Sequence, residues 1–361
     1  MNKKTLVTAL ALSSMMFWSC ESDENENPNP IITGENSLYV LCEGNWGYNN
    51  ATLDLFSIDS NSVQKDFFAF VNGFGLGDTG NDMIAYGSKI YVAVKVSNVV
   101  IVINRQNGKQ IARIPMVDNA GQGKMPSRLC SADGKVYVAC FDGYVAEIDT
   151  TSLNVVREVK AGRNPDGIAF ANGKLFVANS GGLDYPNYDN TISVIQLPAL
   201  LVIDTIEIET GLNPTLTRTL PDGNIMVLVN GNYYDVNPSL VTINSQTNAI
   251  IKQDNVNVSS FVIKNNDVVY LHFDYTTNIY NVKTAPYNNI ENGSVDFVKQ
   301  SSIFSSMTTP YCLSVSKERQ EIYMTDAKNY TSSGEVICFD YDGNLKYRFS
   351  TSQNPSVVIV K

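Results

Sequence analysis

The sequence predicts an all-β fold, a seven-bladed β-propeller with four-stranded blades in which the C-terminal strand closes the first blade. Three observations carry this expectation. One strand motif recurs seven times, residues 34–361 divide into units of about 47 residues, and the chain ends on a strand that its first unit lacks.

The repeat runs as follows: an often proline-started strand, a Gly/Asn/Asp turn, an aromatic-aliphatic strand, a third strand ending in Ile-Asp or its like, and a fourth after a polar turn. The second strands read Leu38-Tyr39-Val40, Ile90-Tyr91-Val92, Val136-Tyr137-Val138, Leu175-Phe176-Val177, Ile225-Met226-Val227, Val269-Tyr270-Leu271 and Ile322-Tyr323-Met324. Third-strand endings recur at Ile58-Asp59, Ile103-Asn104, Ile148-Asp149, Ile243-Asn244 and Phe339-Asp340. Pro126, Pro165, Pro214, Pro310 and Pro355 stand where first strands begin, a place where a missing N–H is tolerated. A four-stranded blade needs roughly 40–50 residues, which the spacing of the copies supplies. Alternation such as Thr191-Ile192-Ser193-Val194 suits strands buried on a neighbouring blade. No long amphipathic helix is predicted. The first copy starts at its second strand, and Asn354-Pro355-Ser356-Val357-Val358-Ile359-Val360 reads as the missing first one. Such closure hides sheet edges that would otherwise invite aggregation. A β-sandwich would not need seven similar units.

Ahead of the repeat, Lys3 and Lys4 precede an apolar run from Leu6 to Trp18 that ends at Ser19-Cys20. This is the layout of a secretory signal, too short for a comfortable membrane span of roughly 20 residues. Residues 1–19 therefore read as a signal peptide, Cys20 as the lipidated residue of a lipoprotein, 20–33 as a flexible acidic tether and 34–361 as the single domain. Ordinary secretion without lipid is the alternative at Cys20. The acidic stretch Glu21-Ser22-Asp23-Glu24 reads either as tether or as a surface-export signal.

Composition excludes some functions. The chain carries 26 Lys and Arg against 36 Asp and Glu, a net charge of −10. It therefore lacks the basic footprint that nucleic acid demands. Five cysteines remain besides Cys20, an odd number without regular spacing, which is not a disulfide framework. Cys130 and Cys140 fall on consecutive predicted strands, and pairing between them stays open. The single histidine, His272, lies in an apolar strand and reads as structural. Its isolation argues against triad and His-rich zinc chemistry, so no catalytic residue and no metal site is expected. The string Gly73-Phe74-Gly75-Leu76-Gly77 lacks the helix of a dinucleotide site. Asp340-Tyr341-Asp342-Gly343-Asn344 reads as a hairpin turn rather than a calcium loop.

In a propeller the loops joining second to third strands share a face with the connections between blades. Those segments are rich in Tyr, Asn and Gly, a vocabulary that gives contact area with few rotors to freeze. They place Trp46, Tyr48, Phe74, Tyr185, Tyr188, Tyr233, Tyr234, Tyr275 and Tyr330 as candidate ligand contacts. Such a surface suits a large, nearly neutral ligand with many amides or hydroxyls.

The units Tyr91-Val92-Ala93 and Tyr137-Val138-Ala139, the Ile-Asp turns and Asn164-Pro165-Asp166-Gly167-Ile168-Ala169 carry a family resemblance. Through them the mature chain resembles the YncE-like, surface-layer propeller lipoproteins of Bacteroides. With the acidic stretch after Cys20, it is similar to the surface cobalamin-binding propellers of gut Bacteroidetes, the BtuG type. That resemblance implies a non-enzymatic protein without a resident cofactor, anchored in the outer membrane and exposed at the cell surface. It would capture cobalamin (vitamin B12) for a TonB-dependent transporter. The alternatives are an adhesion or scaffold propeller that binds a glycan or protein partner, and a carboxylate-based lyase or hydrolase using Asp184 or Asp189.

Overall fold

The computed structural model describes residues 36–274, 276, 277 and 279–361. The signal segment, Cys20, the tether and Tyr275 lie outside the described residues.

Seven antiparallel sheets of four strands form the fold. The inner strands of blades 2 to 7 are Gly80–Tyr86, Pro126–Ala132, Pro165–Ala171, Pro214–Thr219, Val258–Lys264 and Pro310–Ser316. Blade 1 takes its inner strand from the C-terminus. Pro355–Val360 pairs antiparallel with Ser37–Cys42, with Tyr39 opposite Ile359. The expected closure is therefore present, and all five prolines stand at the first position of their strands.

The second strands of blades 1 and 2, Ser37–Cys42 and Lys89–Val94, are buried along nearly their whole length. Each is sandwiched on both faces by adjacent blades, which is why their sequences run apolar without alternation. The tyrosines of the repeat, Tyr39, Tyr91, Tyr137, Tyr270 and Tyr323, are almost completely buried. Where a partner is near they keep their hydroxyls satisfied: Tyr39 donates to the Arg105 carbonyl at 3.1 Å and Tyr323 to Glu321 Oε2 at 2.6 Å. The core is thus a ring of inter-blade clusters. Tyr91, Val100 and Val102 of blade 2 pack on Val136, Val138 and Cys140 of blade 3, and Val40 and Phe56 of blade 1 on Tyr323 and Phe349 of blade 7. Burying each Val or Phe side chain contributes about 1.5–3 kcal/mol. The outer strands alternate instead, as in Gln110–Pro115, because one face meets solvent.

Among the described residues two short α-helices, α1 (Phe67–Asn72) and α2 (Ile290–Gly293), and a 3₁₀ segment (Ser301–Ser306) interrupt the strands. α1 replaces most of the outer edge of blade 1, whose fourth strand is only Ser62–Gln64. The Asp66 carboxylate caps its start by accepting from Ala69 N, and Phe67 and Phe68 are buried. Cys42, Cys130, Cys140, Cys312 and Cys338 are free. Pro126 faces Cys140 and Tyr137 faces Cys130, so strand register separates Cys130 from Cys140. His272 contacts the Asn257 carbonyl through Nδ1 at 2.8 Å, the satisfied structural position expected. Asp340 Oδ1 accepts from the amides of Asp342 and Asn344 at 2.9 Å, with Gly343 at φ 83°, so this string is a hairpin turn.

Candidate functional site

Every inner strand carries a register shift at its start, where two residues oppose one on the second strand. A bulge bends the strand and re-aims its side chains. Here it turns the residues just after the strand start toward the propeller axis. The outcome is an axial cavity of about 830 Å³ lined by Asp82, Arg128, Asp166, Thr215, Ser259, Tyr311 and Ser356 from the seven inner strands. Glu43, which follows the second strand of blade 1, and Arg218 complete its charged lining.

These groups form a linked set. Arg128 sits between two carboxylates, its Nη1 3.8 Å from Asp82 and its Nε 3.6 Å from Asp166. Asp82 accepts from Leu129 N at 2.8 Å, and Asp166 from Ser127 Oγ at 2.7 Å. Tyr311 Oη donates to Glu43 at 2.7 Å. Burial raises the Glu43 pKa above the usual carboxylate range, against the opposing pull of Tyr311 and the nearby cations. Burial lowers Arg218 to about 10, only partly countered by Asp82. Lys95, in the loop after the second strand of blade 2, is likewise lowered to about 8 by burial, with Asp166 opposing. Its Nζ lies 3.2 Å from the Phe141 ring centroid, a cation–π contact.

The aromatic loops stand on the same face. Tyr185, Tyr188 and Tyr233 form an edge-to-face chain with centroids 6.0 and 6.1 Å apart, running from the blade 4 loop to the blade 5 loop. Tyr233 reaches the cavity lining. On the opposite side Tyr330 meets Tyr311 edge-on at 6.0 Å. Phe273 and Tyr280, 4.7 Å apart, lie between those two groups in the lining.

Local chemistry fixes these loops. Asn232 Oδ1 accepts from the amides of Tyr234, Asp235 and Val236, which holds the turn that displays Tyr233. Asn329 Oδ1 does the same for Thr331 and Ser332 beside Tyr330. Arg163 ties the blade 4 loop together through Asp184 at 2.7 Å and the Asn187 carbonyl at 2.6 Å. Tyr233 and Tyr330 sit at φ 60° and 62°, left-handed backbone that an aromatic residue rarely adopts and that clusters at ligand sites.

Four of the sequence-predicted residues, Tyr185, Tyr188, Tyr233 and Tyr330, thus gather around the axial mouth. Trp46 and Tyr48 are exposed in the blade 1 loop, which Asn45 ties to the Tyr330 carbonyl at 3.1 Å. Tyr234 is 90% exposed and projects from the same turn as Tyr233. Phe74 is placed apart. It packs edge-on against Phe68 of α1, and Asn72 binds that segment to the Gly108 carbonyl in an opposite-face turn of blade 2. Sequence reasoning did not single out Glu43, Lys95, Asp82, Arg128, Asp166, Arg218 or Tyr311 as site residues. For Arg128 and Asp166 the signal was a charge one or two residues after a strand-starting proline, in Pro126-Ser127-Arg128 and Pro165-Asp166; Glu43, Lys95, Asp82 and Arg218 carried no such mark.

Comparison with known proteins agrees with this architecture. Residues 36–240 match the family described as a domain of unknown function, DUF5074. The chain belongs to the DUF5074 family. No curated protein matches this sequence. Among solved structures, this DUF5074 propeller is similar to a quinonprotein alcohol dehydrogenase-like protein from Bacteroides thetaiotaomicron. The two share 15% identity and a TM-score of 0.66, over 90% of this chain and 78% of the other. It is also similar to a putative 6-phosphogluconolactonase from Bacteroides uniformis, with 10% identity and a TM-score of 0.62 over 90% and 99% of the two chains. Hydrazine synthase of Kuenenia stuttgartiensis gives 15% identity and a TM-score of 0.59 over 75% and 86%. At these identities the likeness shows the fold alone. The DUF5074 chain is therefore a β-propeller, a fold suited to binding a ligand or partner.

Proposed function

We propose that this chain is a non-enzymatic, lipid-anchored protein of the outer-membrane surface that captures cobalamin at its axial mouth and passes it to a TonB-dependent transporter. The observation that carries the reading is the rim formed by Tyr188, Tyr233 and Tyr330 around the cavity of about 830 Å³. Cavities of roughly 300–1,000 Å³ with aromatic walls and a few placed polar groups are the usual form of small-molecule sites. A corrin laid over this mouth would meet aromatic faces, while its peripheral amides would find Asn side chains and backbone groups. Asn232 and Asn329 brace the turns that carry Tyr233 and Tyr330, which lowers the ordering cost of capture. The membrane anchor rests on Cys20 and the segment before it, and the surface location on the acidic stretch Glu21-Ser22-Asp23-Glu24 after it.

Calorimetric titration of the purified chain with cyanocobalamin tests this. Saturable one-to-one binding is expected. Absence of heat, with no thermal stabilisation of a folded protein, would overturn it. In that event the exposed Trp46, Tyr48 and Tyr234, which stand outside the cavity lining, favour the second reading, a glycan or protein partner on the same face.

A further inference from the structure

Arg128 and Arg218 are the two arginines of the cavity lining, and few of their donors are used; Arg105 and Arg113 also make one hydrogen bond each, but neither lines the cavity. Arg348 holds Glu335 bidentately at 2.5 and 2.6 Å, and Arg157 meets Glu147 at 2.5 Å with two carbonyls alongside. A guanidinium offers five N–H donors. Among the described residues, Arg128 has ion-pair contacts at 3.6 and 3.8 Å but no hydrogen bond, and its Nε is buried without an acceptor. Arg218 makes one hydrogen bond, from Nη1 to the Thr217 carbonyl at 3.1 Å.

The carboxylates nearby divide their acceptors between Arg128 and other donors. Asp82 is held by the Leu129 amide, Asp166 by Ser127, and Glu43 by Tyr311. Burial also favours the neutral form of Glu43. Both guanidiniums line one cavity, where the charge of Arg128 disfavours that of Arg218 while Asp82 and Asp166 favour the charge of Arg128. Guanidinium donors that have no fixed acceptor in a cavity wall are free to take one from a ligand. An oxyanion placed between them would supply acceptors in the fork geometry that guanidinium groups match and would relieve their mutual repulsion.

We propose that the axial cavity is an oxyanion subsite, in which a phosphate or carboxylate group of the ligand is bound between Arg128 and Arg218 below the tyrosine rim. This deepens the ligand-capture reading of the same site and rests on it only for the route of entry. The tyrosines select the body of the ligand, and the two arginines select one acidic group upon it.

The test uses the full chain with inorganic phosphate and, separately, acetate, each compared with chloride at equal ionic strength by thermal shift and calorimetry. At least one of the two anions should stabilise the protein saturably. Arg128→Gln and Arg218→Gln should each weaken that response at least tenfold. A response to phosphate alone identifies a phosphoryl group, and an equal or greater response to acetate a carboxylate. Arg218→Met supplies the folding control. With so few partners to lose, it should retain the wild-type melting temperature or exceed it while losing the anion response. No anion response beyond chloride, or one that persists undiminished in both glutamine variants, would overturn the proposal whatever cobalamin does. Conversely, an arginine-dependent anion response without corrinoid binding would sustain the subsite and reject cobalamin as the ligand.

Discussion

The hydroxyl of Tyr311 donates to Glu43 Oε2 at 2.7 Å, joining residues 268 positions apart across the seam between the last blade and the first. Tyr311 is the second residue of the blade 7 inner strand, and Glu43 follows the second strand of blade 1. The bond therefore supplements the strand that closes the ring. Tyr311→Phe would leave a buried carboxyl short of a donor, and its loss should cost about 1–3 kcal/mol in urea unfolding at pH 7. Because burial raises the Glu43 pKa, the variant's deficit should shrink toward pH 4, where the carboxyl is neutral in both proteins. An equal deficit at both pH values would show that the hydroxyl acts through packing alone.

Lys95 gives a second pH dependence of opposite character. Burial lowers its pKa from 10.5 to about 8 in the folded chain. Between those values the unfolded chain holds a proton that the folded chain has released, so the Lys95 contribution to stability rises with pH across that window. It is flat below about pH 8, where both states are protonated. Between pH 8 and 10.5 the wild type should gain on the order of 3 kcal/mol relative to Lys95→Met. Parallel urea unfolding of the two proteins measures this difference, with tyrosine titration common to both. A constant difference across the window would mean that Lys95 keeps its proton in the fold.

Gly167 tests how closely neighbouring blades approach. A Cβ placed there would lie 1.7 Å from the Thr215 carbonyl oxygen and 2.4 Å from Thr217 Oγ1, both on the adjacent inner strand. The first obstacle is backbone, so a side-chain rotation cannot relieve it, and blades 4 and 5 would have to part. Gly167→Ala should lose at least about 2 kcal/mol, near the upper range for overpacked cores. Gly75, with no atom within 4 Å of its added Cβ, is the control. Comparable urea midpoints for Gly167→Ala and Gly75→Ala would show that the blades yield freely.

The blades were legible because a strand buried on both faces must repeat its apolar residues, and Tyr39, Tyr91, Tyr137, Tyr270 and Tyr323 mark that repeat. Pro355 marked the closing strand by the same chemistry as Pro126 and Pro165. α1 was not legible, because six residues are too few to display helical periodicity. It forms where Asp66 can cap it and Phe67 can lie 6.0 Å from Tyr39. That helix carries the following segment toward the flank of blade 2, which is why Phe74 stands away from the mouth. The tyrosine loops could be read from composition and position. Arg128 and Arg218 could not, since alternation assigns a strand residue to one face or the other, and a bulge at the strand start breaks the count. The sheets show these bulges; the sequence shows only a charge inside a strand.

Tyr233 and Tyr234 are adjacent in sequence yet differ in surroundings, and the ligand reading predicts that they differ in effect. Tyr233 lines the cavity, lies 6.1 Å from Tyr188 and approaches Asn213 Nδ2 with its hydroxyl at 3.5 Å. Tyr233 is itself 71% exposed, so what sets it apart is the contacts of its ring; burial of part of the phenol and the neighbouring Tyr188 raise its pKa. Tyr234 is 90% exposed. Tyr233→Ala should therefore weaken cyanocobalamin binding by about 2 kcal/mol or more, within the range of an aromatic anchor at the centre of an interface. Tyr234→Ala should weaken it by less than about 1 kcal/mol, as a rim position does. Relief of the left-handed backbone at Tyr233 is a separate matter, because alanine is disfavoured there too. Tyr233→Asn, which tolerates that conformation better, keeps the turn while removing the ring. Calorimetry on the three variants decides the point: equal losses for the two tyrosines would move the ligand off the axial cavity and onto the exposed crest of the loops.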